Sequence, residues 1–287
     1  MIRSISVLLF VIGFIFQSCN ETKNENNTVS LGLKFGAGAN YVYLMDTRQT
    51  IEQQMSGINS EISQHMKLQS SYKVEAAPDN NSRLTVNYDR FYIKSSSNGL
   101  EMEYDSEDST KQPAELAGAG AIVNHPFSIV VNSKGEILKV ESGDQSGGNM
   151  QSQFSDSSIR QMMEQSLNIY PEKPVKTGDT WQRTYTTAMG FMEMQVVSDY
   201  KLISVANNVA HIEIKAAIKS KAQSNKQTEG MQIEMNGTQN GTMDIDVNTG
   251  LIQDSRFTQN VKGKMIIPGA EIPMTLVSDT RIIGRMR

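Results

Sequence analysis

Apolar and polar residues alternate with a period of two along most of the chain from Leu31 onward. This alternation is typical of half-buried β-strands. Residues that favour turns separate the alternating segments, and Gly135 can adopt the positive φ that its turn requires. The pattern therefore predicts antiparallel strands joined by hairpins. The clearest segments are Tyr41–Leu44, Tyr72–Glu75, Leu84–Tyr88, Phe127–Val131, Ile137–Val140, Tyr200–Val205 and His211–Lys215.

The order of strands and turns in the first half of the chain recurs in the second half. Ser71–Val86 corresponds to Asp199–Lys215, and each segment turns at two adjacent asparagines. Phe127–Ile137 corresponds in the same way to Met243–Ile252. This order predicts an internal duplication of an antiparallel meander. Because β-proteins share strand–turn–strand patterns in general, chance similarity is the alternative.

One amphipathic helix is predicted between the two halves. Ser155–Ser158 supplies N-cap residues, and Pro171 stops the helix. A weaker helix is predicted over Ala114–Ile122, where two glycines lower helix propensity. The predicted fold is mainly antiparallel β (α+β), a duplicated meander forming a curved sheet or open half-barrel around one helix. The mainly apolar side of that helix comprises Ile159, Met162, Met163, Ser166, Leu167 and Tyr170.

The N-terminus has the layout of a secretory signal. Arg3 precedes the apolar run Val7–Phe16, and Ser18 precedes Cys19, the only cysteine of the chain. The layout resembles a bacterial lipoprotein signal, which implies cleavage before Cys19 and lipidation of its thiol. An ordinary signal peptide with a buried cysteine is the alternative. A transmembrane anchor is not expected, because ten apolar residues are too few for a transmembrane helix, which needs about 20. Acyl chains on Cys19 would anchor the protein to a membrane.

These elements divide the chain into five predicted parts. They are a lipoprotein signal peptide (1–18), a flexible tether (19–30), an N-terminal β half (31–142), a linker with the helix (143–170) and a C-terminal β half (171–287). The tether is polar and lacks aromatic residues.

A proline-rich turn before the second half carries a resemblance to a known group of proteins. The segment Tyr170–Trp181 contains the pattern P-x-K-P-V-K-x-G-D-x-W. Together with the duplicated strands and the lipoprotein start, it resembles an uncharacterised family of Bacteroidetes envelope lipoproteins. The resemblance implies an envelope location and supplies no activity. Trp181 is expected to anchor its strand to the core, or alternatively to line the mouth of a ligand site.

The chain contains 17 methionines, and several recur at strand spacing. Methionine fills irregular apolar interiors and recurs on adaptable binding surfaces, and thioether clusters can also bind Cu(I). Core packing, a soft apolar groove and a copper site are therefore the three interpretations. The residues predicted to line a ligand groove are Trp181, Met192, Met194, Met162 and Met163.

Composition argues against several other kinds of site. The net charge is −4 and the basic residues are scattered, so we expect no nucleic-acid partner. His65, His125 and His211 stand in unrelated contexts, so no metal site is expected, and neither a cofactor nor catalysis is expected. Ser109, in Asp-Ser-Thr, resembles an O-glycosylation acceptor of Bacteroidetes envelopes.

The sequence thus predicts a non-enzymatic, lipid-anchored envelope protein. We expect it at the outer membrane, on the periplasmic or surface face, holding a hydrophobic small molecule between sheet and helix. The alternative is a structural or accessory protein that contacts another envelope protein.

Overall fold

Long antiparallel strands dominate the structure, a computed structural model that describes residues 28–55, 57–113, 123–142, 156–189, 192–220 and 232–287. Within these residues there are twelve strands and one α-helix. The strands are β1 (Asn40–Met55), β2 (Ile58–Ala76), β3 (Ser82–Ser97), β4 (Leu100–Asp105), β5 (Phe127–Val131), β6 (Ile137–Ser142), β7 (Thr180–Met189), β8 (Met192–Ala206), β9 (Val209–Ser220), β10 (Gln232–Asp246), β11 (Ile252–Ile267) and β12 (Ala270–Met286); the helix is α1 (Asp156–Leu167). The helix predicted over 114–122 lies outside the described residues.

All twelve strands belong to one antiparallel sheet. Its order is β6-β5-β3-β2-β1-β12-β11-β10-β9-β8-β7, and β4 pairs with β3 beside this path. The sheet is curved and does not close on itself, which confirms the predicted fold class. The two halves of the chain therefore share a single sheet.

The duplicated segments occupy corresponding places in that sheet. β2, β3, β5 and β6 are consecutive neighbours in the first half, and β8, β9, β10 and β11 are consecutive neighbours in the second. This is the arrangement that an internal duplication predicts. The halves are joined by β1 and β12, which pair from Tyr41 opposite Met286 to Gln53 opposite Met274.

Asparagine and glycine form the tight turns at the strand ends. Asn207 and Asn208 have φ of 52° and 63°, and they connect β8 to β9 as a two-residue hairpin. Asn98 and Gly99, with φ of 51° and 82°, connect β3 to β4 in the same way. Positive φ at both central positions matches the twist of the flanking strands, and asparagine and glycine tolerate it best.

The helix fills the gap between the two edges of the sheet, because α1 packs against β6 and β7. Ile159, Met163 and Leu167 are buried at one-turn spacing, as the sequence predicts. The regular helix ends at Leu167, before Tyr170. Tyr170 is nevertheless buried, and its hydroxyl donates a hydrogen bond of 2.6 Å to the Gly250 carbonyl. Within the described residues, no helix is long and apolar enough to span a bilayer.

The chain before β1 crosses the helix end of the sheet. Leu31 and Leu33 are buried there, and the Leu33 amide donates to the Ser133 carbonyl at 2.8 Å. Val29 pairs with Val175 through two backbone hydrogen bonds of 2.7 and 2.9 Å. The last residues of the predicted tether are therefore hydrogen-bonded to the folded body.

Buried apolar side chains form two clusters. Core 1 surrounds α1 and includes Leu84, Ile129, Leu202 and Ile212 from both halves of the sheet. Core 2 lies further along the strands of the second half and contains Tyr185, Met194, Val196, Ala216, Ile218, Met235, Val261 and Leu276. Since only core 1 contains the helix, the two clusters depend on different elements.

We predict that Gly135→Ala destabilises the protein much more than Gly99→Ala. Both glycines have φ near 80°, but a Cβ on Gly135 would overlap the Leu167 carbonyl, whereas a Cβ on Gly99 meets open space. The matched change at Gly99 therefore measures backbone strain alone, about 1–2 kcal/mol. We expect Gly135→Ala to cost at least about 2 kcal/mol more in urea unfolding. Equal losses would show that the turn and α1 do not approach each other closely.

Candidate functional site: the two faces of the sheet

The two faces of the central strands differ in chemistry. On β1, Tyr41, Tyr43 and Ile51 point to the side that carries the cores, and Asp46 and Arg48 point to the opposite side. We call these the inner face and the outer face. Because the strands are fully paired, this alternation continues across the sheet.

A row of polar side chains crosses the inner face and separates the two apolar clusters. Its members are directly opposite one another on nine strands, from β3 to β7 through the β1–β12 junction. The row is Ser95, Gln64, Gln49, Ser278, Gln259, Gln239, Ala216, Ser198 and Arg183, in which Ala216 is the single apolar member. We call it the polar row.

Amide and hydroxyl groups of the polar row bond to one another. Gln49 donates to Gln64, and Gln259 Nε2 donates to Gln239 Oε1 at 2.8 Å. The Ser278 hydroxyl donates to Gln259 Oε1 at 3.3 Å. Buried amides and hydroxyls are costly when unpaired, so these bonds allow polar groups to lie between two apolar layers.

The next inner row towards the hairpin ends is apolar. It consists of Ile62, Ile51, Leu276, Val261, Gly237, Ile218, Val196 and Tyr185. From Leu276 to Tyr185 its large side chains are buried in core 2, whereas Ile62 and Ile51 on β2 and β1 are only half-buried. Met265 and Met274, on the neighbouring strands, are half-buried as well. The apolar inner face is therefore partly open over the central strands.

The predicted groove residues are divided between the two clusters. Met163 belongs to core 1, and Met162 and Trp181 pack against it. Met194 lies in core 2 and is fully buried. The side chain of Met192 lies outside the described residues. The structure therefore does not bring the four described side chains together at one site.

Trp181 has the geometry of a core anchor. Its ring stacks on Tyr200 with centroids 5.5 Å apart and an interplanar angle of 13°. Its Nε1 donates a hydrogen bond of 2.7 Å to the Ile169 carbonyl, just beyond α1. Trp181 therefore joins β7 to the end of the helix.

A cavity with a volume of 1020 Å³ lies on the outer face. We call it the outer cleft. It extends over seven strands, from β4 to β10, and is centred on the β1–β12 junction. Its charged lining residues are Arg48, Lys67, Arg90, Lys111, Arg256 and Arg281 with Asp46, Asp105 and Asp279. A second cavity of 390 Å³ adjoins it at Arg48 and Asp279.

Ion pairs fix part of this lining. Arg90 Nη2 lies 2.6 Å from Asp105 Oδ2, and its Nη1 lies 3.1 Å from the Glu107 carboxylate. The hydrogen bond from Arg90 lowers the pKa of Asp105 below its usual value of 3.8. Arg281 in the same way lowers the pKa of Asp254, a carboxylate that Arg281 shares with Arg256.

The ionisable groups of the inner face are mainly tyrosines. Burial raises the pKa of Tyr72 and of Tyr185 to about 12, and it also raises the pKa of Tyr88 and Tyr200. These phenols are therefore neutral at physiological pH. The inner face thus offers hydrogen-bonding groups without adding phenolate charges.

The histidines and the predicted acceptor serine lie apart from one another. His65 Nε2 lies 3.0 Å from Asp46, and His211 Nδ1 lies 2.7 Å from Asp244. Among the described residues, no group of three or more His, Cys, Asp or Glu is placed to hold a metal ion. Ser109 is exposed in a short 3₁₀ turn, where the Asp108 carboxylate accepts the Thr110 amide at 3.0 Å. Cys19 lies outside the described residues.

Neither the outer cleft nor the polar row was found from the sequence. Both consist of residues from seven to nine strands. They can be recognised only when the register of each strand pair is known. The available signal was a glutamine or serine at inner-face positions of otherwise apolar alternation, as at Gln49 and Gln239. A single strand does not show that these positions align.

We predict that Asp105→Asn lowers stability at neutral pH by about 1–3 kcal/mol, because the buried partner of Arg90 loses its charge. The folded-state pKa of Asp105 is lowered, so its contribution is complete above the unfolded pKa and is lost as pH falls through the folded value. The difference between wild type and variant in urea unfolding should therefore shrink at acidic pH. Asp199→Asn, which changes an exposed carboxylate, should have little effect at neutral pH. A pH-independent loss from Asp105→Asn would contradict the role assigned to the ion pair.

Comparison with known proteins places the chain in a family but not in a functional class. No curated protein matches it significantly. A lipovitellin structure, described for its lipid–protein interactions, is similar with a TM-score of 0.49 and 10% identity over 88% of this chain, which spans only 26% of the lipovitellin chain. An outer membrane channel from Pseudomonas putida F1 has a TM-score of 0.28 and 9% identity over 88% of this chain and 97% of its own. With TM-scores below 0.5, these similarities support no functional conclusion.

The family match is more informative. Residues 79–151 and 143–252 match the model of a family of unknown function, DUF6263. The matched residues cover more than half of the chain and include the strands from β3 to β10. The chain therefore belongs to DUF6263.

Proposed function

We propose that this protein is a lipid-anchored envelope protein that binds an acyl chain against the open part of its inner face. The observation that carries the proposal is the half-buried apolar surface of Ile62, Ile51, Met274 and Met265. These side chains lie on β2, β1, β12 and β11, whereas α1 packs against β6 and β7 at the edges of the sheet. An acyl chain would remove their exposed area from water.

The chemistry of this surface fits a flexible hydrocarbon. Leucine, isoleucine and methionine side chains offer no charge, and methionine adapts its shape to a chain that adopts several conformations. Core 2 continues the surface on β10 and β11 with Met235 and Val261, which are already buried. The open part thus adjoins a preformed apolar layer. The proposal is one of binding and includes no catalytic step.

The envelope location rests on the sequence. The apolar run before Cys19, and the resemblance to Bacteroidetes envelope lipoproteins, support lipidation of that cysteine and attachment to the outer membrane. Val29 is held at the helix end of the sheet by its pairing with Val175. A lipid on Cys19 would therefore tether the body from that end.

We predict that Ile62→Gln weakens binding of the fluorescent fatty acid cis-parinaric acid about fivefold. The substitution removes roughly 1 kcal/mol of apolar contact from the proposed surface. A fluorescence titration of the full chain measures this change.

The matched control is Ser63→Gln, which places the same side chain one residue away on the outer face. It should leave the affinity unchanged. Failure of wild type to bind the probe, or equal affinities of the two variants, would refute acyl binding on the inner face.

A second candidate function, docking of another envelope protein, is favoured by the hairpin ends. Ile58 after the β1–β2 turn is 72% exposed, and Leu100 after the β3–β4 turn is 76% exposed. Both lie at the end of the sheet opposite α1. Exposed apolar surface gathered at one place is a feature of contact sites, and these two side chains lie at the same end of the sheet.

We predict that Ile58→Ser with Leu100→Ser abolishes the recovery of a stoichiometric partner after crosslinking in membranes. Leu138→Ser is the control, because Leu138 is 51% exposed on the edge strand β6, away from these turns. Mass spectrometry of the crosslinked products identifies the partner. Recovery of the same partner with the double variant would exclude the hairpin ends as the contact.

A further inference from the structure

The outer cleft is organised along one register row of the outer face. Its members lie directly opposite one another on the seven strands from β4 to β10. They are Asp105, Tyr92, Lys67, Asp46, Arg281, Arg256 and Thr242. Each member belongs to a paired strand, so the sheet itself holds this row in place.

Two like charges face each other in this row. Arg281 on β12 is directly opposite Arg256 on β11. Both contact a single carboxylate, Asp254, at 2.6 Å from Arg281 Nη2 and 3.3 Å from Arg256 Nε. Like charges directly opposite on neighbouring strands repel each other. Asp254 balances one of these two charges, and Asp46, directly opposite Arg281 on β1, is the next carboxylate in the row.

Two further cations in the cleft are available for a ligand. Within the described residues, neither Arg48 nor Lys67 forms an ion pair. Their cross-strand carboxylates are engaged elsewhere: Asp279, opposite Arg48, accepts the Thr258 hydroxyl at 2.6 Å, and Asp46, opposite Lys67, lies 3.0 Å from His65.

The remaining cations of the cleft are compensated. Arg90 is paired with Asp105 and Glu107, and Lys111 is paired with Glu103 at 3.1 Å. Around the β1–β12 junction, the four cations Arg48, Lys67, Arg256 and Arg281 face the three carboxylates Asp46, Asp254 and Asp279. Positive charges therefore outnumber negative charges by one there, although the whole chain has a net charge of −4.

Neutral polar groups surround this charge. Gln69, Asn240 and Thr242 line the cleft and can donate to or accept from hydroxyl groups. The Tyr92 ring, whose centroid lies 5.7 Å from Lys67 Nζ, adds a flat apolar surface. A volume of 1020 Å³ exceeds the needs of an inorganic ion and suits a larger ligand.

We propose that the outer cleft binds a phosphate ester of a polyol, with its phosphate between Arg48, Lys67 and the Arg256–Arg281 pair. Guanidinium groups bind phosphate through paired, charge-assisted hydrogen bonds, and the amide and hydroxyl groups accommodate the polyol. The ligand is either a free sugar phosphate or the glycerophosphate headgroup of a lipid. This site is on the opposite face of the sheet from the proposed acyl site and does not depend on it.

Calorimetry of the full chain with glucose 6-phosphate, and with glucose as the neutral control, tests the free ligand. Sedimentation with phosphatidylcholine vesicles, with and without phosphatidylglycerol, tests the headgroup; any contribution of an N-terminal lipid is common to both vesicles. The variant is Arg48→Gln with Lys67→Gln. The control is Lys219→Gln with Lys262→Gln, two exposed outer-face lysines outside the cleft lining, which changes the net charge equally.

We expect the protein to bind glucose 6-phosphate but not glucose, or to bind more strongly to vesicles that contain phosphatidylglycerol. The first result identifies a free sugar phosphate as the ligand, and the second identifies a lipid headgroup. The cleft variant should weaken that binding about tenfold or more, and the control variant should not. Higher ionic strength should weaken it further, because salt screens the partly exposed charges. Binding of neither phosphate, equal binding of glucose, or equal losses in both variants would overturn the proposal. Acyl binding on the inner face would be unaffected by that result.

Discussion

The pairing of β1 with β12 is the constraint on which the rest of the structure depends. It joins strands from opposite ends of the chain over the whole length from Tyr41–Met286 to Gln53–Met274, and the Arg287 amide extends it with a 2.9 Å hydrogen bond to the Asn40 carbonyl. Both the polar row and the outer cleft cross this junction, so neither exists in one half alone. Closing a loop of nearly the entire chain is entropically costly, and the local hairpins of each half therefore have the advantage of forming first.

The α1 helix packs where the open sheet leaves its end strands, β6 and β7, unpaired on one side. The strands β6 and β7 are the two ends of the main strand order, and unpaired edges invite association with other chains. The α1 helix lies against both edges, and its Arg160 guanidinium donates to the Ile137 carbonyl of β6. On the β7 side, Trp181 bonds the chain just beyond the helix. The same helix thus buries core 1 and covers the sheet where pairing ends.

The sequence was sufficient wherever a feature depends on neighbours along the chain. Asn207-Asn208 forms the predicted turn, Gly135 has the predicted positive φ, and Ile159, Met163 and Leu167 form the buried helix side. Features that depend on register between distant strands were not predictable. Gln49 and Gln259 are far apart in sequence and become neighbours of Ser278 only through β12. The methionine pattern was ambiguous for the same reason. Met163 and Met194 both occupy apolar positions in the sequence, but the fold places them in different clusters.

The polar row affects the register in which neighbouring strands pair. A slip of one residue exchanges the two faces and is excluded by the alternation of apolar and polar residues. A slip of two residues keeps every side chain on its own face, so simple alternation does not discriminate against it. It would, however, place the buried Gln239 opposite Val261 or Phe257 and leave its amide without Gln259, at a cost of about 1–3 kcal/mol. The amides and hydroxyls of the polar row thus distinguish the native register from the registers shifted by two residues.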